Sequence, residues 1–144
     1  MMYLGLFLII GIGLGVFIIY VIVNYDSLSE LQGKPSGKKD EAHYQKLIYK
    51  LTGGELEHKL PDGTRIDILT DDFAIEVDFV KKFYEAIGQA VHYTQSGRKP
   101  LIWLIVRQKT EEKYVARAVA ACKRTAVRVN GHDYHIGVMV YRDY

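Results

Sequence analysis

Residues 2–23 form an apolar run of 22 in which 18 belong to the hydrophobic set and the other four are glycine. No charge interrupts it. As a helix it would extend about 33 Å, the thickness of a bilayer's hydrocarbon core. That feature divides the chain, because of its 144 residues at most 121 are left for a water-soluble fold. Such a remainder supports one modest domain rather than two. With 25% of the chain charged, a polytopic membrane protein and a disordered chain are both excluded.

The run reads as a retained single-pass anchor. A cleavable secretory signal has a basic start, an apolar stretch of about 7–15 residues and a small-residue cleavage site. Here nothing basic precedes the run, it is longer than that, and it ends Tyr20-Val21-Ile22-Val23-Asn24-Tyr25. Lys34, Lys38 and Lys39 lie just beyond it, which by the positive-inside rule puts the following domain on the cytoplasmic side. Export after signal cleavage is the alternative, decided by the N-terminal sequence of the mature protein. Gly11 and Gly15 make a G-x-x-x-G that would let two anchors pack as a homodimer, although glycine is common in membrane helices anyway.

Residues 24–39, with Ser27, Ser29, Gly33, Pro35, Ser36 and Gly37 and no apolar period, read as a flexible linker to a domain over residues 40–144. Within that domain Tyr44, Leu47, Ile48 and Leu51 fall at helical spacing, and Gly53-Gly54 ends the helix. Residues 55–60 and 65–69 read as a hairpin about the turn Pro61-Asp62-Gly63-Thr64. Residues 73–79 alternate cleanly, 80–95 read as a helix, and 101–106 as a buried strand. A third helix is predicted from Glu111 to about Arg128, and a closing strand over 133–141 after the Asn130-Gly131 turn. The order α-β-β-β-α-β-α-β predicts an α/β fold, a mixed sheet flanked by helices and preceded by one transmembrane helix.

Charge is uneven along the chain. Residues 24–97 hold 9 basic and 13 acidic side chains and residues 98–144 hold 10 and 4, giving −4 and +6. An acidic half followed by a basic one suits a metal site beside a polyanion track, and a solvated surface gives the same counts.

The acidic half carries the chemistry. Asp67 points opposite to Ile66 and Ile68, and Glu76 and Asp78 point opposite to Phe73, Ile75, Val77 and Phe79. If the two strands pair, their acids share a face. Clustered carboxylates are costly to bury without a cation, so the pattern points to a Mg²⁺-type oxygen site; a solvated polar sheet face is the competing explanation. On the following helix Lys82, Ala86, Gln89 and Tyr93 fall within a stripe about 60° wide. Lys82, four residues beyond Asp78, can swing back to the acids or form an ordinary surface ion pair. Lys81 lies about 100° round the wheel and reads as a solvent lysine.

These residues also carry a resemblance. Residues 53–93, GGELEHKLPDGTRIDILTDDFAIEVDFVKKFYEAIGQAVHY, resemble the core of the PD-(D/E)XK nuclease superfamily, which has the restriction-endonuclease-like fold. They are most similar to small bacterial and phage-type members with D-G-T-R-x-D, E-V-D-F and E-A-I-G-Q patterns. The resemblance implies that Asp67 and Glu76 are the two motif acids and that Gln89 and Tyr93 are the Q-x-x-x-Y of the next helix. It further implies that Glu57 is an additional upstream acid. The motif lysine belongs two residues after the glutamate, where this chain has Asp78; related lineages supply it from the adjoining helix, as Lys82 would do here.

The implied activity is Mg²⁺- or Mn²⁺-dependent phosphodiester hydrolysis on nucleic acid, DNA before RNA. Asp67, Glu76 and the backbone carbonyl of Val77 would hold the ion, Asp78 and Glu57 would hold a second ion or position water, Lys82 would assist the nucleophile or the pentavalent charge, and Gln89 would orient the phosphate. The alternative is a catalytically inactive relative that binds nucleic acid or a protein partner at the membrane. Lys113, Arg117, Arg124 and Arg128 fall within about 60° on the later helix, a phosphate-binding track or a solvated outer face. Tyr93 is a further candidate for nucleic-acid contact. Trp103 and Cys122 read as core, and the His132/His135 pair would diverge along a strand rather than ligate zinc.

Overall fold

The computed structural model describes residues 39–144. The predicted anchor at 2–23, its G-x-x-x-G and nearly all of the predicted linker lie outside the described residues. Among those described, no helix is long and apolar enough to cross a membrane.

The first helix, α1 (Glu41–Thr52), is capped by Asp40, whose side chain accepts from the His43 N–H at 2.9 Å. It buries Tyr44, Leu47 and Ile48 and stops where Gly53 and Gly54 take positive φ. Gly54 cannot be replaced cheaply, because a Cβ there would collide with the Leu69 carbonyl oxygen. The hairpin comes next as β1 (Glu55–Lys59) and β2 (Arg65–Leu69), then β3 (Phe73–Phe79). A 3-10 turn over Val80–Lys82 leads into α2 (Phe83–His92), and β4 (Lys99–Val106) returns through the sheet. After it come α3 (Glu112–Arg124), a small hairpin of β5 (Ala126–Val129) and β6 (His132–His135), and finally β7 (Gly137–Arg142).

The main sheet has the order β1-β2-β3-β4-β7. Its first three strands pair antiparallel and β3-β4-β7 pair parallel, so it is the expected mixed sheet with helices on both faces. On one face Tyr44, Leu47 and Ile48 of α1 pack on Ile75, Val77, Trp103, Ile105 and Tyr141. On the other, Phe83, Ala86 and Ala90 of α2 and Ala118 and Cys122 of α3 pack on Ile102, Leu104, Val138 and Val140. The alternation along β3 thus sends Ile75 and Val77 towards α1, and leaves Glu76 and Asp78 on the side of α2.

Two predicted elements differ. The later helix ends at Arg124 rather than near Arg128, since Thr125 turns extended and its hydroxyl donates to the Ala121 carbonyl at 2.9 Å. Beyond Thr125, exposed Ala126 and Arg128 alternate with buried Val127 and Val129, a strand period rather than a helical one. The predicted closing strand is two strands, β6 pairing only with β5 and β7 with β4. Asn130 and Gly131 both take positive φ, as a two-residue hairpin loop requires.

Candidate active site

Backbone pairing between β2 and β3 covers Ile68 with Ile75 and Leu69 with Ala74. One residue further on, a side chain takes over: Asp67 Oδ2 accepts from the Val77 N–H at 2.8 Å. Val77 itself is a fully buried core residue on the α1 side. The antiparallel register places Asp67 opposite Glu76, so acids from both strands meet. Glu76 and Asp78 are each 3% exposed, and Asp78 Oδ1 accepts from the Phe79 N–H at 2.7 Å.

A fourth carboxylate joins them from α1. Lys82 Nζ lies 3.4 Å from Glu41 Oε2 and 3.5 Å from Asp78 Oδ1, bridging the helix on one face to the strand. Glu41 repels all three of the other acids. Neither Glu41 nor Gln45, which hydrogen-bonds Asp67 from the same helix, was expected at the site. The sequence marks Glu41 only as an acid in a first turn after an N-cap; its approach to β3 is a tertiary fact with no local signature.

Gln89 and Tyr93 hold the remaining acid. With the Gln89 amide nitrogen turned to Glu76, where an amide oxygen would face a carboxylate, it donates to Glu76 Oε2 at 3.0 Å and to the Tyr93 hydroxyl at 3.1 Å. Tyr93, 4% exposed, also hydrogen-bonds Glu76. The predicted stripe therefore stands behind the acidic group, from Lys82 in the turn just before α2 to Tyr93 just after it.

Burial, reinforced by mutual repulsion, shapes the electrostatics. Glu76 is pushed far above the carboxylate range by burial and by the charge of Asp67. Burial likewise raises Asp67, against the Val77 hydrogen bond that lowers it. Asp78 is raised by burial and by Glu41, with Lys82 pulling the other way. The Lys82 ammonium is in turn stabilised by Asp78 and Glu41.

Four carboxylates beside one half-exposed lysine make an all-oxygen donor set that is short of positive charge. That chemistry fits a hard divalent cation such as Mg²⁺ or Mn²⁺. The ligand shell is not closed: Asp67 and Asp78 are turned onto backbone N–H groups, and among the described residues no three His, Cys, Asp or Glu side chains converge as metal ligands.

Glu57 lies elsewhere. The chain takes φ 51° there, and the carboxylate pairs with Arg65 at 2.9 Å with both side chains more than half exposed. Lys81 is not simply solvated, since it pairs at 3.1 Å with the buried carboxylate of Glu111. Lys113 and Arg117 stand over the Tyr114 ring on the exposed side of α3, and Arg124 is exposed at its end. Arg128 does not share that stripe, because it sits on β5 and pairs with Asp133 at 2.8 Å. A concavity of about 850 Å³ between Leu51, Leu69, Phe73, Leu101 and Met139 contains none of Glu41, Asp67, Glu76 and Asp78.

Comparison of the chain with protein-family models, with curated proteins and with solved structures finds no match.

Proposed function

We infer that residues 40–144 form a nuclease domain of the restriction-endonuclease-like class, hydrolysing phosphodiester bonds of nucleic acid, DNA before RNA, with Mg²⁺ or Mn²⁺. Residues 2–23 hold it at a membrane as a single-pass anchor, the domain facing the cytoplasm. One observation carries the activity: Glu41, Asp67, Glu76 and Asp78 gather from three elements around one another, with Lys82 between two of them. The mixed sheet, with its acids on the second and third strands and a lysine in the 3-10 turn after them, supports the class.

Asp67, Glu76 and the Val77 carbonyl are the residues that would hold the ion, with Glu41 in the place expected for Glu57. An ion held by these residues would supply Lewis acidity for a phosphate and make a water molecule more acidic. Lys82, kept protonated by Asp78 and Glu41, donates to the negative charge that develops on the phosphate. Asp78, beside Lys82, orients the attacking water. Gln89 and Tyr93 fix the Glu76 carboxylate, and the raised pKa of Tyr93 keeps its phenol a hydrogen-bond donor. Lys113, Arg117 and Arg124 offer sequence-independent contacts to the backbone.

The test is incubation of the full chain, in detergent micelles, with plasmid, single-stranded DNA and RNA in Mn²⁺ or EDTA. Cleavage in Mn²⁺ that EDTA and Asp67→Asn both remove is the expected result; cleavage that survives Asp67→Asn contradicts the scheme. The second reading, an inactive binder, is favoured by one observation: Asp67 and Asp78 are already engaged by backbone N–H groups. It predicts nucleic-acid binding indifferent to EDTA and to Asp67→Asn.

A further inference from the structure

Behind Gln89 lies a second concavity, a cleft of about 350 Å³ lined by Thr64, Arg65, Gly88, Gln89, His92 and Tyr93. Two of these six, Gln89 and Tyr93, are the residues that hold Glu76, so the cleft and the acidic group share a wall. The remaining four are of a different chemistry. Arg65 and His92 bring nitrogen donors, Thr64 a hydroxyl, and Gly88 a stretch of helix backbone with nothing within 4 Å of where a Cβ would project. No carboxylate lines the cleft.

We propose that this cleft seats the phosphate next to the one presented to the acids, with Arg65, His92 and Thr64 as its positioning residues. The proposal rests on the nuclease reading and adds a second anionic subsite to it. A strand that lays one phosphodiester against the acids at Glu76 meets this group of donors on the other side of Gln89.

The donors have partners now, but exchangeable ones. Arg65 pairs with Glu57, and His92 Nε2 lies 2.7 Å from Asp62 Oδ2, all four side chains being between about two-fifths and two-thirds exposed. Thr64 Oγ1 donates to Asp62 Oδ1 at 2.6 Å and lies 3.1 Å from His92 Nε2, while Gln95 Nε2 contacts both Asp62 and His92. Exposed pairs of this kind contribute little free energy, whereas a phosphate offers charge-assisted hydrogen bonds to the same groups. The remaining explanation for the cluster is purely structural, a tie between the β1–β2 turn and the end of α2.

Thymidine 3′,5′-bisphosphate, which carries two phosphates on one sugar, distinguishes the two. Calorimetric titration of the full chain in detergent micelles, with Ca²⁺ to prevent turnover, compares it with thymidine 5′-monophosphate. The wild type is expected to bind the bisphosphate about tenfold more tightly, the contribution of one charge-assisted contact. In the Arg65→Gln/His92→Gln variant that ratio falls to about one. An undiminished ratio overturns the cleft, including when the variant's melting temperature is lowered, since a structural tie lowers stability without reading the second phosphate. The single variants serve the same comparison should the double variant not fold. If the wild type binds neither nucleotide, the nuclease reading falls and the subsite with it; if it binds both and the ratio survives the substitutions, only the subsite falls.

Discussion

Of the three acids on the strands, Glu76 is the most strongly perturbed. It is 3% exposed, repelled by Asp67, Asp78 and Glu41, and steadied only by neutral donors from Gln89 and Tyr93. Holding such a carboxyl in the fold costs stability wherever the unfolded chain would ionise it. Glu76→Gln is therefore expected to raise the melting temperature of the metal-free protein at pH 8 while lowering hydrolysis by about 100-fold or more. Scanning calorimetry and a plasmid-nicking assay read the two effects, and a melting temperature that falls would show that repulsion is not what the site stores. At the same scale, Glu41→Ala is expected to lower kcat by about tenfold or more and Glu57→Ala by less than about twofold, because only Glu41 reaches Lys82. Equal losses would return Glu57 to the site. Asp67, Glu76 and Asp78 were legible because a strand's period of two sorts side chains by face. Gln89, Tyr93 and Lys82 were legible because a helix repeats every 3.6 residues. Glu41 had no such regularity to reveal it, and Glu57, placed there by the family resemblance alone, pairs with Arg65 instead.

Among the elements, α3 and the hairpin after it show where a regular pattern misleads. Residues 111–128 are rich in alanine and basic residues, and a wheel drawn through all of them aligns Lys113, Arg117, Arg124 and Arg128. The helix stops four residues short of that, since Thr125 turns extended and Val127 and Val129 are buried from a strand. The signal was present in the Ala-Val-Arg-Val alternation and was outweighed by helical composition. The consequence is measurable. Lys113→Glu and Arg117→Glu are each expected to weaken oligonucleotide binding and to reduce the slope of log Kd against log salt by about one. Arg128→Glu is expected to change that slope less, because its guanidinium is already matched to Asp133. Fluorescence anisotropy across a salt series makes the comparison. A larger effect at Arg128 than at Lys113 would move the track from the helix to the hairpin. The five-stranded sheet, by contrast, was legible in outline, because β2, β3, β4 and β7 are short and apolar on at least one face and β1 joins β2 through a marked turn.

For the molecule as a whole, the acidic group couples stability to protons. Asp67 and Asp78 are raised to about 6 and Glu76 to about 9, all above the values they would have in the unfolded chain. Between the ordinary carboxylate range and those values the folded state binds more protons than the unfolded one, so its stability falls as pH rises through that window. Asp62, Glu111, Glu112 and Asp133 are shifted the opposite way, and what they contribute is lost only as pH falls below the carboxylate range. The metal-free protein is thus expected to be most stable near pH 5, where the second set is largely ionised and the first still largely protonated, and to lose melting temperature steadily towards pH 9. On the proposed reading, a divalent cation at the acids would take the place of the bound protons and stabilise only the folded state. Millimolar Mg²⁺ or Mn²⁺ should therefore raise the melting temperature at pH 8, do little at pH 5, and do neither in Asp67→Asn/Glu76→Gln. A melting temperature that is flat from pH 5 to 9 and unmoved by either ion would mean that the four acids are separately solvated, and the hydrolytic reading would lose its physical basis.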